Sequence, residues 1–161
     1  MKIRKATIND LEELTKIEAE CFPATEAATE ESFRGRLEVY PDFFWILENE
    51  DGKIVSFVNG MTTNDRILTD EMFENPKLHD ENGDWQMIFG VNTLPEFRRR
   101  GYAEKVLRKV VEDAKSAGRK GVVLTCKDRL VPFYEKIGFV NEGLSESTHG
   151  GAVWYNMRII F

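Results

Sequence analysis

The sequence predicts one α+β domain with a mixed β-sheet, and three observations support this fold class. The chain has 161 residues, a length that a single hydrophobic core can serve. Strand and helix periodicities follow one another in the order β, α, α, β, β, insertion, β, α, β, α, β, β. Residues 121–126 are nearly all apolar, as expected of a strand buried on both faces. We therefore expect residues 1–161 to form one domain without internal repeats.

The first part of the chain predicts a strand and two helices. Residues 3–6 form a short strand, and apolar residues then recur at helical spacing at Leu11, Leu14, Ile17 and Cys21. Asn9 and Glu12 have the spacing of a capping box, which places the helix start beside them. A second helix begins near Thr29 and ends at Pro41, because proline cannot continue a helix.

A hairpin and a long insertion follow. The β-rich runs 43–47 and 54–58 flank an Asn-Glu-Asp-Gly turn, which predicts an antiparallel pair. Residues 62–84 are polar and acidic and contain Pro76, so we expect a long surface loop with one helical turn near residues 70–73. Loops of this length in compact domains often bind ligands or act as lids.

The second half of the chain alternates strands and helices. Strands are predicted at 85–94, 121–126, 139–144 and 152–160, the last two pairing around the Gly150-Gly151 turn. A helix from Tyr102 has an apolar stripe that includes Val106, Val110 and Ala114, and Gly118 stands where its C-terminal cap belongs. A short helix covers 130–137 and ends at Gly138.

Composition and charge exclude several classes of protein. The 22 basic and 28 acidic residues are mostly interleaved and give a net charge of −6, which disfavours a nucleic-acid-binding surface. No apolar run approaches the roughly 20 residues that span a membrane, and the basic N-terminus lacks the apolar stretch of a signal peptide. Cys21 and Cys126 form neither a metal-binding spacing nor a disulfide framework. We expect a cytoplasmic protein without a metal, in which both cysteines are core residues.

The most informative segment is 94–103, Leu-Pro-Glu-Phe-Arg-Arg-Arg-Gly-Tyr-Ala, which follows a strand and begins a helix. At a helix start the backbone N–H groups lack intrahelical partners and lie at the positive end of the helix dipole, so they bind anions. Gly101 lets the backbone approach a pyrophosphate, and the arginines at 98–100 add charge. A solvated arginine run is the alternative, but the order of strand, proline, arginines, glycine and long helix favours an anion site.

This segment resembles the acetyl-CoA-binding motif of the Gcn5-related N-acetyltransferases (GNAT), Arg/Gln-x-x-Gly-x-Gly/Ala, at Arg98, Gly101 and Ala103. The resemblance covers nearly the whole chain in element order. It implies the three-layer fold of that family, with a mixed, mostly antiparallel sheet between helices on both faces. In that fold the fourth and fifth strands splay apart and the pantetheine arm lies between them. Here those strands are Trp85–Leu94 and Val122–Cys126.

Acetyl-CoA is therefore the expected co-substrate. The resemblance implies that residues of the two splayed strands, the arginine-glycine motif and the following helices bind it. These residues are Val91, Asn92, Thr93, Arg98, Arg99, Arg100, Gly101, Tyr102, Ala103, Glu104, Thr125, Cys126, Lys127 and Phe133.

A second stretch, 131–139, reads Val-Pro-Phe-Tyr-Glu-Lys-Ile-Gly-Phe and is similar to the arylalkylamine (serotonin) N-acetyltransferase branch of the family. In the family this tyrosine protonates the leaving thiolate of CoA or donates a hydrogen bond to it, so the resemblance implies that role for Tyr134. The alternative is that Tyr134 and Phe133 only pack a short helix on the sheet. Cys126 is not expected to carry the acetyl group, because burial raises the pKa of a thiol.

The proton acceptor is harder to assign. Animal members of the arylalkylamine branch relay the proton through two histidines on the fourth strand, but Met87 and Phe89 occupy the corresponding positions. His79 and His149 fall in the insertion and in a hairpin loop, where we expect them to be solvent-exposed. Glu26 follows the proline that ends the first helix and is our candidate base or amine-binding carboxylate; an ordinary surface acid is the alternative.

These observations predict an enzyme that transfers acetyl from acetyl-CoA to a primary amine by direct attack. An acidic chain attracts cations, which favours a small aralkylamine or a polyamine-like acceptor. The alternatives are a protein N-terminal or lysine acetyltransferase, an acetyl-CoA-binding module without turnover and, weakest, a DNA-binding protein using the arginine run. We expect a monomer or homodimer with no nucleic-acid or membrane partner.

Overall fold

The computed structural model describes residues 1–161 and has the predicted α+β fold, with the expected order of major elements. The helices are α1 (Leu11–Cys21), α2 (Glu30–Val39), α3 (Asp70–Glu74), α4 (Tyr102–Ser116) and α5 (Val131–Ile137). The strands are β1 (Lys2–Lys5), β2 (Phe44–Glu48), β3 (Ile54–Asn59), β4 (Thr62–Thr63), β5 (Trp85–Ile88), β6 (Gly90–Thr93), β7 (Gly121–Cys126), β8 (Val140–Leu144) and β9 (Tyr155–Ile160). None of the helices combines the length and apolar character that crossing a membrane requires.

The strands form two sheets that meet at one broken strand. The first sheet has the order β1-β2-β3-β6 and the second the order β4-β5-β7-β9-β8. All pairs are antiparallel except β5 and β7, which run parallel from Trp85↔Gly121 to Ile88↔Leu124. The predicted continuous strand 85–94 is therefore wrong in one respect, because it is interrupted at Phe89.

The interruption opens a gap between β6 and β7. Before it, β5 pairs with β7; after it, β6 pairs with β3 instead. Strand β7 continues past Leu124 through Thr125 and Cys126, where its only strand neighbour is β9. The facing edges of β6 and the end of β7 are thus left without a strand between them, which is the splay that the sequence resemblance implied.

The adjacent segment 59–61 of the same chain stabilises the interruption by close backbone packing. Met87 N donates to Met61 O at 2.8 Å, and Phe89 N donates to Asn59 O at 2.8 Å. Between these bonds lies Gly60, where an added Cβ would stand 1.8 Å from Met87 O. Only glycine fits here, so the interruption in one strand depends on a residue of the short connection between β3 and β4.

Helices cover both sheets. The apolar stripe of α4, which includes Val106, Leu107, Val110 and Ala114, is buried against β2, β3, β6 and β7. Helix α1 packs on α2 and on β6. One continuous cluster of 36 buried residues joins these layers. The start of α4 and the end of α1 are therefore both fixed beside the gap.

Two local predictions need correction. The capping box at the first helix uses Thr7 and Asp10 rather than Asn9 and Glu12, because a short 3-10 turn at 8–10 precedes α1. The insertion 62–84 is not a loose surface loop, since it contributes β4 and α3 and buries Leu68 and Met72.

The insertion is held partly by His79, which was expected to be exposed. Its side chain is only 3% exposed. Nδ1 accepts a hydrogen bond from Thr62 N at 3.1 Å, and the ring packs on Tyr40 and Phe43 at 4.8 and 4.7 Å between centroids. Burial lowers the pKa of His79, so the ring is neutral at physiological pH and serves as a structural acceptor.

We predict that Gly60→Ala destabilises the fold by about 3 kcal/mol, because the new methyl group must displace the Met87 carbonyl. For a domain of this size the melting temperature should fall by roughly 6–12 °C. Gly35→Ala on α2 is the matched control, since its nearest neighbour is the flexible ring of Pro76 at 3.3 Å. Equal melting temperatures of the two variants would contradict this account.

Candidate active site

A cavity of about 840 Å³ occupies the gap between β6 and β7. The start of α4 and the segment before it form one end of the cavity. Helix α5 forms one side, and the end of α1 with the α1–α2 loop forms the other. Residues distant in sequence therefore line one continuous space.

Twelve of the fourteen predicted cofactor-binding residues line this cavity. They are Val91, Thr93, Arg98, Arg99, Gly101, Tyr102, Ala103, Glu104, Thr125, Cys126, Lys127 and Phe133. Asn92 and Arg100 do not line it. Successive strand residues face opposite sides, so Asn92 is fully buried beneath the strand. Arg100 turns back, donates to Glu96 O at 3.2 Å and covers the Phe97 ring.

The start of α4 has the geometry of an anion site. Gly101 is the N-cap with φ +80°, and an added Cβ there would meet no atom within 4 Å. The first intrahelical bond runs from Lys105 N to Gly101 O at 3.0 Å, so the preceding helical amides have no intrahelical acceptor. Arg99 is also left-handed, with φ 64°, which turns the chain sharply into the helix. This concave backbone, together with Arg99, fits a phosphate group.

Arg98 lines the cavity and also makes a hydrogen bond within the protein. Its Nε donates to Thr93 O at 3.1 Å, and Cys21 Sγ donates to the same oxygen at 3.3 Å. Arg98 therefore ties the segment before α4 to the end of β6. Burial raises the pKa of Cys21, which keeps it a neutral thiol.

Tyr134 projects into the cavity from α5. The sequence forms this short helix because Pro132 suits its first turn and Gly138 ends it with φ 117°. Phe133 and Phe139 contact the tyrosine ring edge-on at 5.0 and 5.8 Å between centroids. Tyr134 is 7% exposed, and burial raises its pKa far above neutral, so its hydroxyl keeps its proton.

Cys126, at the end of β7, is buried, as expected. Burial, with a smaller contribution from Asp128, raises the pKa of its thiol to about 11. A thiol of this kind is a poor nucleophile at neutral pH. The cavity thus contains a proton donor in Tyr134 but no activated cysteine.

Glu26 lies at the other end of the cavity, in the α1–α2 loop. Its side chain is only 7% exposed, and Oε2 accepts from Lys127 Nζ at 2.8 Å. The other oxygen, Oε1, is buried without a partner. Two residues that were predicted for different roles, one catalytic and one cofactor-binding, are therefore joined in an ion pair.

His149 also lines the cavity, so the expectation that it is an exposed loop residue is wrong. Its Nε2 lies 2.8 Å from Glu26 O, and its ring stacks on Phe73 at 4.8 Å between centroids. The loop that carries it is fixed by Asp70 at the start of α3, whose carboxylate accepts from Ser147 Oγ and Thr148 N. The insertion and the β8–β9 loop thus meet above the α1–α2 loop.

Sequence reasoning missed several cavity residues. They are Glu18, Phe22, Phe73, Phe89, Arg129, His149 and Trp154 among others. A signal for Glu18 was available, because this carboxylate stands on the apolar face of α1, four residues after Leu14 and three before Cys21. No comparable local signal exists for Phe73 or His149, which reach the site through tertiary contacts.

A second cavity of about 400 Å³ lies behind the first. The two cavities share a wall of five residues, Glu18, Glu26, Phe73, Phe89 and His149. The rest of the second cavity is largely polar and includes Glu31 and Glu74. Carboxylates and aromatic rings therefore form the wall between the two cavities.

Residues 11–139 match the sequence profile described as the acetyltransferase (GNAT) family. Serotonin N-acetyltransferase of Mesocricetus auratus is 29% identical over 110 residues, which are 68% of this chain and 52% of that protein. The chain therefore spans about half the length of this relative.

Two solved structures share the fold over almost the whole chain. The loading GNATL domain of CurA from Lyngbya majuscula has a TM-score of 0.84 at 21% identity, covering 99% of this chain and 96% of that one. The GphF GNAT-like decarboxylase in complex with isobutyryl-CoA has a TM-score of 0.82 at 21% identity, covering 99% of both chains. Since the profile matches most of the sequence and the fold agrees, the chain belongs to the acetyltransferase (GNAT) family.

Proposed function

We propose that the chain transfers the acetyl group of acetyl-CoA to a primary amine on a small aromatic cation. The observation that carries this proposal is the single cavity between β6 and β7, which joins an anion-binding helix start, a protonated tyrosine and an end rich in carboxylates and aromatic rings. Each part fits one group of the reactants. A pyrophosphate suits the first, a leaving thiolate the second and an ammonium group the third.

The residues present fit acetyl-CoA, which supplies an acetyl thioester when bound. The helix start at 102–104 and Arg99 would hold its phosphates. The free edges of β6 and β7 offer backbone groups to the amides of the pantetheine arm. Arg98 would position the phosphate-binding segment through its bond to Thr93 O.

Tyr134 is the proposed acid. A thiolate that leaves the acetyl group needs a proton, and burial keeps the tyrosine hydroxyl protonated at neutral pH. Direct attack by the amine agrees with the raised pKa of Cys126, which disfavours an acetyl-cysteine intermediate.

The opposite end of the cavity supports a cationic, aromatic acceptor. Glu18 and Glu26 supply negative charge, while Phe22, Phe89 and Trp154 offer apolar faces. The net charge of −6 attracts such cations. The name of the Mesocricetus auratus relative, serotonin N-acetyltransferase, accords with an arylalkylamine acceptor.

Incubation of the chain with acetyl-CoA and a panel of amines tests this function. Free thiol release should be fastest with 2-phenylethylamine, slower with spermidine and slowest with a peptide that offers only its N-terminal amine. The reverse order would favour a protein acceptor. A thermal shift with acetyl-CoA but no amine-dependent thiol release would favour a binding module without turnover.

Gly101→Glu should abolish the rise in melting temperature that acetyl-CoA produces, because it places a negative side chain at the phosphate-binding backbone. Each tenfold excess of ligand over its dissociation constant stabilises the wild type by about 1.4 kcal/mol. Gly118→Glu is the matched control, since this glycine has φ +78° and no neighbours within 4 Å but lies beyond the far end of α4. The same thermal shift in both variants would move the cofactor site elsewhere.

Tyr134→Phe should lower kcat by roughly 10²-fold or more, because it removes the acid but little volume. The thermal shift with acetyl-CoA should remain. Tyr40→Phe serves as the control, since it removes a buried hydroxyl that has no partner and lines neither cavity. Wild-type turnover in Tyr134→Phe would show that Tyr134 only packs the helix.

A further inference from the structure

A buried carboxylate with one free oxygen lies beneath the strand break. Glu18, on α1, is 6% exposed. Its Oε2 accepts from Ala28 N at 2.9 Å, which ties the α1–α2 loop to the helix. Its Oε1 is buried and has no hydrogen-bond partner. A carboxylate needed only as a loop anchor has no use for the second, unsatisfied oxygen.

Two amide groups share the space that Glu18 Oε1 faces. An added Cβ on Gly90 would lie 3.5 Å from Glu18 Oε1, 3.3 Å from Asn92 Nδ2 and 3.6 Å from Asn59 Nδ2. Neither amide nitrogen has a hydrogen-bond partner within 3.5 Å, although the Asn92 amide is near enough to Glu18 to favour its anion. One acceptor and two donors thus converge on the space beside Gly90, and together they supply the two to four polar partners that a bound water needs.

The orientation of Asn59 is fixed by a neighbouring arginine. Arg36 Nη1 donates to Asn59 Oδ1 at 2.8 Å, so the amide nitrogen must point the other way, toward Gly90. Arg36 Nη2 donates to Phe73 O at 2.9 Å. Arg36 therefore links the polar group beside Gly90 to Phe73, which is part of the wall between the two cavities.

Glu18 is open to the reaction centre, and Glu26 is occupied. Glu18 lines both cavities, and Gly90 lines the larger one immediately after the interruption at Phe89. Glu26 already binds the ammonium group of Lys127 at 2.8 Å. Of the two carboxylates in the shared wall, Glu18 is the one without a cationic partner at hydrogen-bond distance.

We propose that Glu18, through a water held by Asn59 and Asn92 beside Gly90, accepts the proton that the acceptor amine must lose. This inference rests on the proposed acetyltransferase function and assigns its general base. It differs from the expectation that Glu26 is the base. In this arrangement Glu26 and Lys127 line the acceptor end of the cavity, and the proton passes to Glu18 in the wall between the two cavities.

The protons balance as follows. An ammonium group loses two protons when it becomes an amide. The first passes through the water to Glu18 and then to solvent, which frees the nitrogen lone pair to attack the thioester carbon. The carbon–sulfur bond breaks, and the sulfur takes a proton from Tyr134. The second nitrogen proton restores the tyrosine hydroxyl.

Charged and titratable groups face Glu18 from every side. Arg36 on α2 and His149 on the β8–β9 loop favour its anion, and Cys21 lies on the same helix. Burial is the largest influence and raises the pKa of Glu18 above the ordinary glutamate range. A base of raised pKa abstracts a proton more readily, and it loses that ability as the pH falls through its pKa.

The pH dependence of kcat/KM for 2-phenylethylamine tests the proposal in Glu18→Gln. Wild type should reach a plateau near neutral pH, because Glu18 deprotonates the bound ammonium group. A glutamine can keep the hydrogen bond to Ala28 N, but the variant can use only amine that is already deprotonated in solution. Its kcat/KM should therefore rise with pH toward the amine pKa near ~10. The deficit should be roughly 10²-fold or more at pH 7 and only a few-fold near pH 10.

Two further variants sharpen the test. Glu20→Gln, exposed on the same helix and outside both cavities, should follow the wild-type profile. Gly90→Ala adds a methyl group within 3.6 Å of all three polar atoms, so it narrows the space for the water and should reproduce the deficit at neutral pH with Glu18 intact. It also carries the test if Glu18→Gln fails to fold. The thermal shift with acetyl-CoA should persist in every folded variant.

The outcomes separate this inference from the function on which it rests. A deficit in Glu18→Gln that is the same at every pH would overturn the assignment. The assignment would also fail if Glu26→Gln, and not Glu18→Gln, showed a deficit that is large at pH 7 and small near pH 10. Wild-type rates in Gly90→Ala would overturn the water relay. No acetyl transfer by the wild type to any amine would overturn the proposed function, and this inference with it.

Discussion

The interruption at Phe89 determines the geometry of the site. Strand β5 must pair with β7 and β6 with β3, so the chain changes partner within a single residue. The hydrogen bonds from Met87 N to Met61 O and from Phe89 N to Asn59 O, with Gly60 packed between them, hold this point in place. Everything that the cavity needs depends on it: the free strand edges, the position of Gly90 beside Glu18, and the room for α4 to begin in the gap.

Charge is distributed along the cavity in the order that the proposed reaction requires. Arg98, Arg99 and the start of α4 make one end positive, whereas the other end holds Glu18, without a cationic partner at hydrogen-bond distance, and Glu26, which is paired with Lys127. Tyr134 and Cys126 lie between them and stay protonated, because burial raises both pKa values. An anionic cofactor and a cationic acceptor would therefore be attracted to opposite ends and meet at the neutral centre.

The parts of the site that the sequence predicted are those built from local structure. The turn before α4 and the helix that carries Tyr134 each depend on glycine, proline and apolar spacing within a few residues, and these are legible without a structure. The contacts of Glu26 are not, because its partners Lys127 and His149 lie 101 and 123 residues away. Sequence periodicity carries no information about contacts over such separations, so the contacts of Glu26 with Lys127 and His149 could be found only in the structure.

The group around Gly90 is difficult to explain by stability alone. A buried polar atom without a partner destabilises a fold by about 1–3 kcal/mol, and Glu18, Asn59 and Asn92 contribute four such atoms. Apolar side chains of similar size would remove that penalty at positions that are already enclosed by the core. Three polar residues from α1, β3 and β6 instead converge where the strand breaks. Their convergence is explained if the space beside Gly90 binds a water that moves a proton, because that water supplies the missing hydrogen-bond partners and removes the penalty.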